Sequence, residues 1–500
     1  MHPCLLVDEL VLHIIGFLVE GFPSESARPN ATRDIARFAR TCKSFTDPAL
    51  DVLWRTQGAV SPLIMCLPCD VWKRDLSNKI HFVREPSADD WAMLQRYSHR
   101  IRGFTGPKAL GLPILDDDIL RTIFSRELFH RLFPSLDSLD FTVMTTAIVA
   151  LPLVPNVLSE RLVRLTFMIP REQDPDAIRY VLGTIPESAP SLQALKIDSF
   201  APSSGFELSD HQVPYLRALS LGFKLRISSN SLFRLMQLQH LQVLSLNLPD
   251  NSDIALDQSS PSAFRTLQRV KVAARSLDQC SNLISSISSC ALREVSISYD
   301  TQAPNTVLHT FFQGLGRMQG RSSVLDTLIV KHNIQLTSSS DPPFIVFPST
   351  LAPLLACCRL RILNLINLGT LDLDDAFMRQ AALAWPALEE LRMCSLAWSN
   401  SHRLTLSSIR ELVSQCPHLA RLHMAIDARI LPEEDTDIAS PESQSPSLDM
   451  LNVRNSQIEN PRAVAEYLKA IVPGLRTLNV ESEIDTLRMW RVVQDLMKGT

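Results

Sequence analysis

One apolar phrase organises this chain: an apolar residue, two others, a second apolar residue, one other, and a third apolar residue. It occurs at Leu136/Leu139/Phe141, Leu162/Leu165/Phe167, Leu192/Leu195/Ile197, Leu216/Leu219/Leu221, Leu241/Leu244/Leu246, Leu267/Val270/Val272 and Leu292/Val295/Ile297. It continues at Leu325/Leu328/Val330, Leu360/Leu363/Leu365, Leu388/Leu391/Met393, Leu419/Leu422/Met424, Leu448/Leu451/Val453 and Leu475/Leu478/Val480. The last two apolar positions are two residues apart, the period of an extended strand, so both turn to one face. The first leucine packs beneath the bend that enters the strand. Between phrases the spacing becomes helical: Leu406, Ile409, Leu412 and Val413 share one side of a helix over Thr405 to Gln415, and Val464, Tyr467, Leu468 and Ile471 do so over Pro461 to Ile471.

A single strand and helix cannot bury their own apolar faces, but stacked copies share a core between a strand layer and a helix layer. The expectation is an α/β solenoid of horseshoe form over residues 97–500. Tyr97, Ile101 and Phe104 make a degenerate first unit, and Ile484 to Met497, carrying Leu487, Trp490, Val493 and Leu496, closes the far end as a capping helix. Residues 56–96 form a linker in which Val71, Trp72, Leu76 and Ile80, then Trp91, Leu94 and Tyr97, are spaced for helices. Side chains alternating with the buried ones face away from the core, on the concave side of a curved stack. Among them Arg164, Lys196, Arg269, Lys271, Arg392 and Arg421 are candidate partner-binding residues, with Asn364, Glu390 and His423 on the same face. An exposed strand face is polar whether or not it binds anything, so plain solvation is the alternative reading for each.

Residues 1–55 follow a different pattern, with three helix-periodic pieces at Leu6 to Val19, Asp34 to Phe45 and Asp47 to Trp54. In the first, Leu6, Leu10, Ile14, Ile15 and Leu18 form a stripe; Asp34 is a candidate N-cap for the second, which carries Ile35, Phe38 and Cys42. Gly21 to Thr32, rich in Pro, Ser and Asn, reads as a polar loop. Three short helices make too small a core to stand alone, so their apolar faces should dock on something.

Here the sequence resembles the F-box. Leu6-Val7-Asp8-Glu9-Leu10 with Ile14 and Leu18, then Asp34-Ile35, then Thr41-Cys42-Lys43-Ser44-Phe45 followed by Leu50, Leu53 and Trp54, keep the order and offsets of that family's pattern. The later phrases resemble leucine-rich repeats, and the combination resembles F-box proteins of the fungal type with a C-terminal leucine-rich-repeat array. The resemblance implies that Leu6, Val7, Leu10, Ile14, Leu18, Ile35, Cys42 and Lys43 face an Skp-type adaptor, which joins the chain to a cullin-RING ubiquitin ligase. The array would then hold an unknown protein substrate. A leucine-rich-repeat scaffold with no ligase connection, its first helices serving only as a solenoid cap, is the alternative.

Composition narrows the field further. Lys and Arg number 49 against 53 Asp and Glu, a net charge of −4 that invites neither nucleic acid nor an anionic membrane. Only 15 glycines occur, and no G-x-S-x-G or Walker-type loop is present, so nucleotide-cradling and nucleophile-elbow chemistries find no motif. An enzyme, a cofactor and a metal are accordingly not expected. Ten scattered cysteines read as reduced thiols, and Cys66-Leu67-Pro68-Cys69 lacks the second pair that a tetrahedral zinc site needs. No apolar run is long enough for a membrane span and the N-terminal run carries acidic residues, so the cytoplasm or the nucleus is the expected compartment. Two polar segments, residues 338–343 and 433–446, read as insertions between repeats.

Overall fold

The computed structural model describes residues 8–20, 28–105, 111–143, 147–171, 175–207, 215–249, 263–319, 324–333, 344–394, 403–432, 447–481 and 484–498. Leu6, Val7 and the insertions at 338–343 and 433–446 lie outside the described residues, as does the side chain of Leu18. The chain divides into two compact units, Met1–Ser203 with Glu207–Leu225, and Ser204–Phe206 with Arg226–Thr500.

The first unit opens with three helices, α1 (Asp8–Glu20), α2 (Arg28–Ala39) and α3 (Lys43–Arg55). Val11, Ile15, Ile35, Ala39, Phe45 and Ala49 form their common core, with Phe38, Cys42, Val52 and Leu53 packed against it. The Phe38 and Phe45 rings stack at 4.6 Å. Boundaries differ from the sequence expectation in two ways. Asp34 is not an N-cap: α2 begins at Arg28 with Pro29 in its first turn, where a missing N–H costs nothing, and Asp34 instead pairs with Arg37 at 3.2 Å. The break between the last two helices falls at Thr41–Cys42, and α3 runs through Pro48 with Cys42 extended at its N-cap.

The linker contains a hairpin where helical spacing was expected. Trp72–Arg74 pairs antiparallel with Lys79–Phe82. The turn chemistry overrides the i, i+4 spacing of Trp72, Leu76 and Ile80: the Asp75 carboxylate accepts from the Lys79 N–H at 2.8 Å and the Ser77 hydroxyl at 2.7 Å, and Asn78 takes the left-handed conformation at φ 65°. Ala88–Ser98 is the helix expected from Trp91 and Leu94, started by a capping box between Ser87 and Asp90. Its Tyr97 ring lies 5.2 Å from Trp54 of α3, and Arg100 bonds both Asp47 and Asp51 of α3, so the three-helix module is tied to the segment that follows it.

The hairpin carries a histidine clamp. His81 lies 3.0 Å from Asp75 through Nε2 and 3.1 Å from Asp116 through Nδ1, while Lys79 reaches the other Asp116 oxygen at 2.5 Å. Only the imidazolium donates from both nitrogens, and the bonds to Asp75 and then Asp116 raise its pKa above the ordinary 6.5. With the folded value raised, the clamp is fully formed below about 6.5 and is lost as pH climbs through the folded value. The two carboxylates have lowered pKa values, Asp75 chiefly through the Lys79 N–H and Asp116 through the Lys79 side chain, so they remain ionised well into acid. Hydrogen exchange at residues 72–82, corrected for intrinsic rates, is expected to quicken above pH 6.5 in the native chain and to be flat in His81→Gln; equal pH dependence in both would remove the clamp as its cause.

Behind these elements Thr56–Gln57, Gly103–Phe104, Ser138–Asp140, Arg164–Ile169, Ala194–Ser199 and Ala218–Leu221 stack as successive parallel neighbours. The second unit repeats the pattern with Val243–Asn247, Arg269–Ala274, Glu294–Tyr299, Thr327–His332, Ile362–Ile366, Glu390–Cys394, Arg421–Met424, Met450–Asn452 and Thr477–Asn479. Each unit is thus a repeat α/β stack around a parallel sheet, as leucine-rich repeats require at this level of description. The register places one phrase beside the next, Leu363 against Leu391, Leu422 and Leu451, and the apolar positions of the first twelve phrases are buried. Each such side chain contributes about 1.5–3 kcal/mol by its removal from water.

The strand entrances are satisfied by backbone rather than by an asparagine ladder. From Gln242 to Asp449 a single carbonyl of each repeat accepts two consecutive N–H groups of the next: Asp326 O takes those of Arg361 (2.7 Å) and Ile362 (3.0 Å), Arg361 O those of Glu389 (2.7 Å) and Glu390 (2.9 Å), and Glu389 O those of Ala420 (2.9 Å) and Arg421 (3.1 Å). Polar groups at the bend therefore find partners whatever side chain stands there, which is how irregular repeats stack. Helices return the chain between strands, several with side-chain N-caps: Asp374 to the Phe377 N–H, Thr405 to that of Ser407, Asn460 to that of Ala463. The last phrase, Leu475/Leu478/Val480, is only half-buried, and the helix Ile484–Lys498 closes over this end with Trp490 and Val493 fully buried. Trp490 donates to the Ser456 carbonyl at 2.8 Å and Gln494 to that of Leu478 at 2.6 Å. Among the described residues no helix is long and apolar enough to cross a membrane.

Candidate functional site

Two surfaces carry the residues singled out by the sequence. The first is the outer face of α1. Val11 and Ile15, four apart, point into the module core at 1% and 0% exposure, which turns the i, i+4, i+7 series Leu10, Ile14 and Phe17 outward at 45%, 39% and 66%. Leu12 is exposed as well, and the His13 ring meets Phe17 edge-on at 4.8 Å. Of the candidate adaptor residues, Leu10 and Ile14 are brought together on this stripe. Ile35 lies inside the module core, Cys42 is half-buried at the N-cap of α3, and Lys43 is exposed beside it. The Cys42 thiol is lowered from its ordinary pKa by the N–H and then the hydroxyl of Ser44. Phe17 was not among the sequence candidates, although its i+7 spacing from Leu10 marks it.

The second surface is the strand face opposite the core. In the first unit Arg164 and Lys196 stand exposed on neighbouring strands, Lys196 beside Asp198 at 3.2 Å. In the second unit the register sets the outward side chains in rows. One contains Arg269, Glu294, Thr327, Ile362, Glu390 and Arg421; the next contains Lys271, Ser296, Ile329, Asn364, Arg392, His423 and Asn452; a third contains Ala273, Ser298, Lys331, Ile366 and Cys394. Arg392 and Arg421 meet there, while Arg269 and Lys271 stand four or more strands away along the same rows.

What joins Arg392 to Arg421 is Glu390, whose side chain is only 8% exposed. Its Oε2 accepts from Arg421 Nε at 2.6 Å, and its Oε1 lies 2.7 Å from Arg392 Nε and accepts from Asn364 Nδ2 at 3.1 Å. Burial by itself would raise the Glu390 pKa, but the bonds from Arg421 and Asn364 and the charge of Arg392 outweigh it and hold the carboxyl below its ordinary value. Beside it His423 is half-buried, and burial followed by the Arg392 charge lowers its pKa, so the ring is neutral near pH 7. A neighbouring tie runs from Asn452 Nδ2 to Glu481 at 3.2 Å and from Glu481 to Arg454 at 3.4 Å. Sequence inspection placed Glu390, Arg392 and Arg421 on this face; the shared carboxylate emerges only when repeats are aligned so that Glu390 and Arg421 precede corresponding leucines.

Among the described residues no three His, Cys, Asp or Glu side chains are grouped to hold a metal ion, and Cys66 and Cys69 are exposed free thiols.

No family model matches the chain, and none of the curated proteins compared with it does. Among solved structures it is similar to a chain of the Rad7 and Elc1 complex of yeast, at 14% identity and a TM-score of 0.34, over 73% of this chain and 88% of that one. It is also similar to a chain of the mouse RP105/MD-1 complex, at 14% identity and a TM-score of 0.31, over 79% of this chain and 68% of that one. Likenesses this distant leave function to be read from the chain's own residues.

Proposed function

We propose that this chain is the substrate-recognition subunit of an Skp/cullin/F-box ubiquitin ligase. Residues 1–55 dock an Skp-type adaptor, and the strand face of a leucine-rich-repeat array holds a protein substrate; the chain acts by binding, with no catalytic step of its own. The observation that carries this reading is the outward stripe of Leu10, Ile14 and Phe17 on a module whose core is already filled by Val11, Ile15 and Ile35. Apolar side chains left outside a completed core are what a docking helix presents. The F-box pattern into which Leu10 and Ile14 fall supplies the identity of the partner.

The test is co-purification of the full chain with an Skp-type adaptor, beside the double variant Leu10→Asp, Ile14→Asp. Both positions are exposed in the free chain, so the variant keeps its fold, while burying two carboxylates in an apolar interface is expected to weaken adaptor binding by more than about 100-fold. Equal capture of native and variant chains, or of neither, would leave the helices as a solenoid cap and the chain as a scaffold without a ligase.

A further inference from the structure

The chain as a whole is acidic, at −4, yet the rows of the second unit's strand face are basic. In the three rows given above, Arg269, Lys271, Lys331, Arg392 and Arg421 stand against Glu294 and Glu390, five positive charges to two negative. One of the two acids, Glu390, is buried beside the arginines, accepting a hydrogen bond from Arg421 Nε and forming an ion pair with Arg392 at 2.7 Å. The Nη ends of Arg392 and Arg421 have no hydrogen-bond partner among the described residues, and the side chains are 38% and 45% exposed. One carboxylate thus draws two guanidinium groups to the same place, Arg421 by a hydrogen bond and Arg392 by an ion pair, and their outer N–H edges fit the oxygens of an anionic group. Between these arginines and the lysines at 271 and 331 the face is mixed, half-buried Ile329, Ile362 and Ile366 alternating with Ser296, Thr327 and Asn364.

We propose that this face binds an extended acidic peptide segment of a partner protein, one anionic side chain held by Arg392 and Arg421, another by Lys271 and Lys331, with apolar side chains over the isoleucines between. The proposal rests on the reading of the strand face as the substrate surface and gives that substrate its chemistry. Lys271 and Arg392 are four strands apart, about 19 Å at about 4.8 Å per strand, which an extended peptide spans in about six residues. Glu390 is a positioning residue: it holds the guanidiniums and touches no ligand itself.

The measurement is fluorescence anisotropy of the full chain with labelled Glu-Glu-Ile-Ser-Ile-Ser-Glu-Glu, its Gln-for-Glu counterpart, and a version with phosphoserine at both ends. The acidic peptide is expected to bind at least about tenfold more tightly than the Gln peptide and to weaken with salt, and the phosphoserine arm tells which anion the fork prefers. Arg392→Gln and Arg421→Gln, at part-exposed positions and with unchanged melting, are each expected to cost about tenfold. Glu390→Gln separates positioning from simple attraction: it adds a positive charge to the face yet is expected to weaken binding. Tighter binding by Glu390→Gln, or acidic and Gln peptides held equally, overturns the proposal. Adaptor co-purification of the native chain, run in parallel, keeps the two readings apart: adaptor capture without acidic-peptide binding sinks this inference alone.

Discussion

Ile15→Asp is expected to unfold the N-terminal module, while the same exchange one residue earlier, at Ile14, leaves it folded. Ile15 is fully buried in a core of six residues shared among α1, α2 and α3, whereas Ile14 is 39% exposed. An aspartate at position 15 would sit with no cation within that cluster, and the loss of the apolar side chain adds to the cost of the stranded carboxyl, about 4 kcal/mol or more in all. A core this small has no reserve to absorb such a loss. At position 14 the carboxylate stays in water, and the change in stability should fall within about 1 kcal/mol. Limited proteolysis of the full chain reads the difference: rapid cleavage within 8–55 for Ile15→Asp, native-like resistance for Ile14→Asp. The pair also guards the proposed adaptor experiment, since on that reading Ile14→Asp weakens binding while folded and Ile15→Asp does so because it is not. If both variants resist protease alike, the assigned inner and outer faces of α1 are wrong.

The contrast shows what was legible in the sequence. The thirteen phrases were readable because a strand with one buried face repeats its apolar residues at a spacing of two, and stacking then forces each phrase beside the next. The helices over Leu406–Gln415, Pro461–Ile471 and Ile484–Lys498 were readable for the corresponding reason, a one-sided stripe of period 3.6. The hairpin at 72–82 was not, because Trp72, Leu76 and Ile80 satisfy helical spacing while the turn is decided by Asp75 and Asn78, two polar residues that an apolar count ignores. On α1, periodicity gave one stripe containing both Ile14 and Ile15, but these lie 100° apart on a helix. Which of them faces inward depends on where α2 and α3 pack. The Glu390 tie is a matter of register between strands 31 residues apart, invisible to any pattern along one repeat.

Trp490→Ala is expected to cost about 3–5 kcal/mol, and the loss should spread from one end of the second unit rather than across it. Trp490 is fully buried beneath the closing helix Ile484–Lys498 and donates to the carbonyl of Ser456, itself fully buried. Removing the indole leaves a cavity and an unpaired carbonyl together. In a stack each repeat is held by its neighbours, so an end repeat without its cover lacks half its contacts. The strand Thr477–Asn479, whose phrase is already half-buried, should open first, then Met450–Asn452, with Val243–Asn247 unaffected. Hydrogen exchange along the unit measures that order. Trp490→Phe keeps most of the buried volume and loses only the N–H, so it should open the same strands at a cost of about 1–2 kcal/mol. A uniform loss of protection from residue 243 to 479 would mean that the unit melts as one cooperative block, and the closing helix would then be one more contributor to a shared core rather than the seal on its open end.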